Sequence, residues 1–145
     1  MDFFDAIHAS SSGLSAQRLR MNLISGNLAN VNTTRTREGG PYRRKEAIFA
    51  ARPLEESFRK ILADRQRQQL SIVEVDRVIE DSNLPVMKYD PQHPDADEKG
   101  YVAMPNINVM EEMVNMISAT RGYEANVTAL KAAKDMASTA LEIGK

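Results

Sequence analysis

The first residues to test for chemistry are the carboxylates of Asp95-Ala96-Asp97-Glu98-Lys99-Gly100. A calcium loop takes oxygen ligands at its first, third and fifth positions, glycine at the sixth and a bidentate glutamate at the twelfth. Here Lys99 holds the fifth place and Asn106 the twelfth, so two ligands are missing and no calcium is expected. His93 lies between Pro91 and Pro94, and it is the one histidine near carboxylates. With no second histidine close by, it reads as a loop residue rather than a metal ligand or general base. Asn32-Thr33-Thr34 and Asn126-Val127-Thr128 match the glycan acceptor pattern, but the second falls on an apolar heptad stripe and no secretory leader is expected. There is no Gly-rich phosphate loop, nucleophile elbow or pair of carboxylates set for acid–base work, so neither an enzyme nor a cofactor is expected.

Charge narrows the partners further. The 145 residues carry 19 basic and 20 acidic side chains for a net charge of −1, which argues against a nucleic-acid or membrane surface as the global partner. A basic cluster, Arg35, Arg37, Arg43, Arg44 and Lys45 continued by Arg52, Arg59, Lys60, Arg65 and Arg67, is interleaved with acids and has no nucleic-acid-binding motif beside it. The balance conceals a net basic segment over residues 35–67 and a net acidic one over residues 68–112. These two segments either face one another within the chain or meet between neighbouring chains. The absence of cysteine removes disulfides and thiolate metal sites. No run of eighteen apolar residues encodes a membrane span, and residence outside the cytoplasm would need an export route other than a cleaved leader.

The elements that would position any site are dominated by the two ends of the chain. Val109, Met113, Met116, Tyr123, Val127, Leu130, Ala137 and Leu141 recur at alternating gaps of four and three, interrupted only at Thr120 and Lys134. Such a ladder is the seam of a coiled coil and asks for a partner helix along its length. Over Val109 to Ile143 the helix would be about 50 Å long. Small residues from Ser118 to Ala140 flank it and would let other helices approach closely. Near the N-terminus Ile7, Leu14, Met21 and Leu28 are seven apart, with Phe3, Ile24 and Val31 on the adjacent row. Ser10-Ser11-Ser12-Gly13 weakens the early part of this helix, so that fraying is expected before Ser10, and Asn27 to Thr34 ends it. Three segments result: a helix in 1–34, a β-rich middle over 35–105, and a helix in 106–145. The middle reads as a turn at Gly39-Gly40-Pro41, strands over Tyr42 to Ala51, Leu70 to Ile79 and Pro85 to Tyr89, and a last short strand at Tyr101 and Val102. A short helix is expected over Leu54 to about Gln68. The fold class is mainly α with a small β-rich middle.

Several motifs together carry a family resemblance. They are Ser25-Gly26-Asn27-Leu28-Ala29-Asn30, Gly40-Pro41-Tyr42-Arg43, Tyr89-Asp90-Pro91-Gln92-His93-Pro94-Asp95-Ala96-Asp97 with Gly100-Tyr101-Val102, Pro105-Asn106-Ile107-Asn108-Val109, and Ser118-Ala119-Thr120-Arg121-Gly122-Tyr123-Glu124-Ala125-Asn126-Val127. Over nearly its whole length the chain resembles the C-type proximal rod proteins of the bacterial flagellar basal body, within the wider axial family of rod, hook and hook-associated proteins. The Arg- and Gln-rich stretch Pro53 to Leu70 has no counterpart in that pattern.

The resemblance implies a structural subunit, with the N- and C-terminal helices paired as a coiled coil and stacked helically around an export channel. Its implied partners are other copies of itself, other rod proteins, an adaptor of the membrane ring at the rod base, and the flagellar type III export apparatus. It implies a place in the periplasmic rod, reached without a cleaved signal peptide, and a role in motility. The assembly seam would comprise Ile7, Leu14, Met21, Ile24, Leu28 and Val31 on the first helix and the ladder from Val109 to Leu141 on the last. A soluble coiled-coil adaptor is the alternative reading.

Overall fold

The heptad-bearing ends are the two helices of the fold, and the β-prone middle forms two ribbons between them. In a computed structural model, which describes residues 3–53 and 71–143, the order is α1 (Phe3–Ala29), β1 (Lys45–Pro53), β2 (Ser71–Glu80), β3 (Val86–Tyr89), β4 (Tyr101–Met104) and α2 (Val109–Ile143). β1 pairs antiparallel with β2 from Lys45↔Glu80 to Pro53↔Ser71, with an irregularity at Ile48/Phe49, and β3 pairs antiparallel with β4. The helix expected over Leu54 to about Gln68 lies outside the described residues.

α1 is helical from Phe3 onward and runs unbroken through Ser10-Ser11-Ser12-Gly13, whereas fraying was expected before Ser10. The reason is tertiary. Ser12 Oγ donates to Ala9 O at 2.8 Å, which satisfies the hydroxyl within the helix, and accepts from the backbone N–H of Val73 on β2 at 3.2 Å. The helix ends where Asn30 Nδ2 folds back on Gly26 O at 2.8 Å and Thr33 Oγ1 donates to Asn30 Oδ1. The chain then reverses at Gly39 and Gly40, whose φ values of 90° and 78° are open to glycine. β1 starts at Lys45 rather than Tyr42, because the Tyr42 N–H is taken by Thr33 O at 3.0 Å and has no strand partner.

The helices run antiparallel. Gly13 meets Asn126, Gln17 meets Gly122, Met21 meets Thr120 and Asn27 meets Glu112, pairs whose numbers fall on one side as they rise on the other. α1 also contacts both β1 and β2, so it lies between α2 and the first ribbon. The close approach rests on the glycines: a Cβ at Gly13 would lie 2.9 Å from Asn126 Nδ2, and one at Gly122 would lie 3.2 Å from Gln17 Nε2. Among the described residues the buried apolar side chains are small, Ala16, Ala47, Ala119 and Ala133 with Ile24 and Val102. Fully buried apolar volume is therefore thin, and polar contacts carry much of the specification.

Candidate functional site

Two of the most deeply placed side chains among the described residues are polar. Asn27 is 0% exposed and Glu112 1% exposed. Buried polar groups cost free energy unless partnered, and these are. Asn27 Nδ2 donates to Lys45 O at 2.9 Å and to Glu112 Oε2 at 3.0 Å, while its Oδ1 accepts from Lys45 N at 2.9 Å and from Tyr42 Oη at 3.1 Å. All four hydrogen-bonding positions of the amide are used. By taking both backbone groups of Lys45, the side chain acts toward β1 as a neighbouring strand would. Glu112 Oε1 accepts from Arg44 Nε at 2.8 Å, and Arg44 Nη1 reaches Glu46 Oε2 at 2.8 Å. One node thus ties α1, the start of β1 and the first turn of α2.

Electrostatics fix its protonation. Burial alone would lower the Arg44 pKa, but hydrogen bonds to Glu112 and Glu46 outweigh it and hold the guanidinium above its ordinary value. Burial raises the Tyr42 phenol; Lys45 opposes this, and Glu80 and Glu112 add to it. With the folded pKa above the unfolded one, the neutral phenol's contribution is fully present below about pH 10 and lost as pH rises through the folded value. Tyr42→Phe is accordingly expected to lose about 1 kcal/mol at neutral pH, the worth of its bond to Asn27. The stability difference from the parent should shrink in strongly alkaline solution. Urea unfolding at pH 7 and above pH 10 measures both.

The loop that begins like a calcium site uses its carboxylates structurally. Asp97 Oδ1 accepts from the N–H groups of Lys99 and Tyr101 at 2.9 and 2.8 Å, and Asp95 Oδ2 accepts from Thr34 Oγ1 at 2.7 Å, which ties the β3–β4 connection to the segment after α1. His93 Nδ1 accepts from the Asp95 N–H. The basic and acidic segments meet within the chain at Arg44–Glu112, Lys45–Glu80 and Arg52–Glu74.

Comparison with known proteins bears on what such a frame serves. A family model described as flagella basal body rod protein matches residues 7–35, and one described as flagellar basal body rod FlgEFG protein C-terminal matches residues 98–143. The chain is 46% identical to the flagellar basal-body rod protein FlgC of Borreliella burgdorferi over 99% of this chain and 98% of the relative. It is 43% identical to that of Bacillus subtilis and 34% identical to that of Salmonella typhimurium, over the whole of both chains in each case. The chain belongs to the FlgC family of flagellar basal-body rod proteins.

Most residues that carried the family resemblance fall into three places. Asn27 and Asn30 build the node and the α1 terminus, with Leu28 half-buried and Ala29 exposed between them. Tyr89, Asp90, Pro91, Pro94, Asp97, Gly100 and Tyr101 build the β3–β4 connection. There the Tyr89 and Tyr101 rings stand edge to face at 5.3 Å, and Gly100 has a φ of 80° with Tyr89 and Pro91 crowding where a Cβ would be. Pro105 is buried and Asn106 exposed just before α2, whose first free N–H groups, those of Met110 and Glu111, are capped by Asn108 Oδ1.

The seam residues divide. On α1, Ile24 is buried and Ile7, Leu14, Met21, Leu28 and Val31 are half-buried; on α2, Met116, Tyr123, Val127, Leu130 and Ala137 are half-buried. Val109, Met113 and Leu141 are exposed, Leu141 at 75%, and Met110, Val114 and Ile117 are exposed beside them. Sequence reasoning missed the partnership of Arg44 and Glu112, since an acid in the first turn of a helix is already accounted for by the helix dipole. The available signal was that Glu112 lies one heptad before Ala119 and three heptads before Ala133, the other buried residues of α2 among those described.

Proposed function

We infer that the chain is a structural subunit of the proximal part of the flagellar rod, built into the drive shaft of bacterial motility by lateral packing of its helices. The whole-length similarity to FlgC proteins carries the reading; the relatives give no support to a soluble adaptor. Physical support comes from the start of α2, where Val109, Met110, Met113, Val114 and Ile117 are all exposed. They form a broad apolar face on the side of the helix away from Glu111, Glu112 and Asn115, and an apolar face on a helix normally packs against a partner, which the described residues do not supply. Neighbouring copies and other rod proteins do, completing a coiled-coil seam along Ile7, Leu14, Met21, Ile24, Leu28 and Val31 and the ladder from Val109 to Leu141. Stacked helically, the subunits enclose the export channel. The base meets the adaptor of the membrane ring, and the subunit reaches the periplasm through the type III export apparatus without a cleaved signal.

Ile117→Asp tests this. Ile117 is 54% exposed, so the isolated variant should unfold within about 0.5 kcal/mol of the parent, as surface substitutions do. Expressed in place of the parent in a flagellated bacterium, it should build no rods and leave the cells unable to swim. Parental swimming by cells carrying only this variant would refute the packing role of that face.

A further inference from the structure

The outer edge of a β-ribbon leaves every second N–H and C=O unpaired, and native chains normally blunt or cover such edges. Three of the four strands described here have a side chain on their outer edge. Asn27 takes both backbone groups of Lys45 on β1, and Ser12 Oγ accepts from the Val73 N–H on β2. On β4, Asp97 Oδ1 accepts from the Tyr101 N–H at 2.8 Å while the Asp97 N–H donates to Tyr101 O at 2.8 Å. β3 has no such cover among the described residues, and β4 is the one element it contacts. The phase of its ladder follows from the Asp90 N–H, which donates to Gly100 O at 2.9 Å, in the register Tyr89↔Tyr101 to Val86↔Met104. Hydrogen-bonded and non-hydrogen-bonded pairs alternate along such a ladder. Val86 and Lys88 therefore bond to β4, and Met87 and Tyr89 point their backbone groups outward. The same alternation puts the side chains of Met87, Tyr89, Tyr101 and Ala103 on one face of the ribbon. The opposite face carries the buried Val102, so this one is turned to solvent, yet Met87, Tyr89 and Tyr101 are exposed on it where polar residues are the rule.

We propose that β3 is an acceptor for strand addition, and that its occupant is an extended segment of a different protein in which an acidic residue stands between two apolar ones. The outward N–H and C=O groups of Met87 and Tyr89 bind the backbone of that segment, and side-chain alternation supplies the selectivity. Its apolar residues extend the face formed by Met87 and Tyr89. Its acid stands opposite Lys88, which is exposed and forms no ion pair among the described residues, and opposite charges directly across a pair of strands attract. A second copy of this chain fits badly. Two-fold antiparallel pairing of β3 with itself, centred on Lys88, sets the two Lys88 side chains against each other. Moving the register by two residues either way puts Pro85 opposite Tyr89 or Pro91 opposite Met87, and proline has no N–H to give. The apolar–acid–apolar run Val73-Glu74-Val75 of a second copy is engaged already, since Ser12 holds the Val73 N–H and Arg52 pairs with Glu74. The surface stands apart from the helix seam and does not depend on the rod-subunit reading.

The test titrates the isotope-labelled full-length protein with the capped peptide Lys-Thr-Val-Glu-Val-Thr-Lys and follows the backbone amides by NMR. Saturable shifts are expected at Met87 and Tyr89, with slowed hydrogen exchange of both amides. Met87→Pro removes an outward N–H without touching the bonds to β4, and should weaken binding about tenfold or more while the β4 amides keep their protection. Met87→Thr, which retains the N–H, should stay within a few-fold of the parent. Should Met87→Pro disturb the ribbon, the same peptide N-methylated at its two valines makes the measurement from the other side, and should likewise lose binding. Lys88→Glu should weaken the peptide several-fold and favour one with lysine in place of its glutamate. Absence of saturable shifts at β3 overturns the proposal, and so does binding that neither Met87→Pro nor N-methylation weakens. Equal affinity for the two peptides removes the acidic residue from the occupant. Concentration-dependent dimers in the ultracentrifuge that Met87→Pro abolishes would assign the edge to a second copy and overturn the choice of a different protein.

Discussion

Replacing Arg44 by methionine is expected to cost about 3–5 kcal/mol of stability, the penalty for leaving a buried charge without its counterion. The expectation follows from the asymmetry of the pair. Glu112 is 1% exposed, whereas the Arg44 side chain is 19% exposed and has a second acid in Glu46 at 2.8 Å. Loss of the cation therefore strands the carboxylate more completely than loss of the carboxylate strands the cation. Asn27 would be drawn into the loss, since the oxygen it donates to is the other half of the same carboxylate. Adding Glu112→Leu in the same chain should recover most of the stability, because a buried ion pair exchanged for apolar residues is often neutral or better. Chemical denaturation of the two single variants and the double gives the coupling directly. A loss below about 1 kcal/mol for Arg44→Met would mean that water or Asn27 alone compensates the carboxylate. In contrast, the exposed pairs Lys45–Glu80 and Arg52–Glu74 should each be worth about 1 kcal/mol or less, and salt should erode them.

The parts of this fold legible in the sequence are those specified locally. Heptad spacing located both helices, and Asn27 to Thr34 marked the end of α1, because those side chains compete with the helix for its own backbone groups. Gly39-Gly40-Pro41 marked a reversal, and alternating apolar residues placed the second, third and fourth strands to within two residues. What escaped was decided across distance. Tyr42 belongs by composition to a strand, yet its N–H bonds to Thr33 and its hydroxyl to Asn27, neither of which is a strand partner. Ser12 looked like a helix weakener, and it holds the helix against β2. Glu112 satisfied a local rule for the start of a helix, which hid its contacts with Asn27, 85 positions earlier in the chain, and with Arg44. The apolar ladder of α2 was readable as a ladder. Which of its residues the chain would leave exposed was not, since that depends on where α1 packs against it.

Leu130→Asp and Leu141→Asp should separate what the chain buries by itself from what an assembly buries. Both positions belong to the same apolar ladder, three helical turns apart. Leu130 is half-buried, and an aspartate there loses apolar contact and desolvates a charge, for an expected loss of roughly 2–4 kcal/mol in the isolated protein. Leu141 is 75% exposed, and the same change there should shift stability by less than about 0.5 kcal/mol. If the ladder is a seam between subunits, the two variants nonetheless converge in the cell: Leu130→Asp fails to build rods because its helix pair is weakened, and Leu141→Asp fails although its own fold is intact. Denaturant midpoints on the purified proteins and swimming of strains that carry only the variant give the two axes of the comparison. A Leu141→Asp strain that swims like the parent would place the last turns of α2 outside the seam, and the ladder between neighbours would then have to end near Ala137.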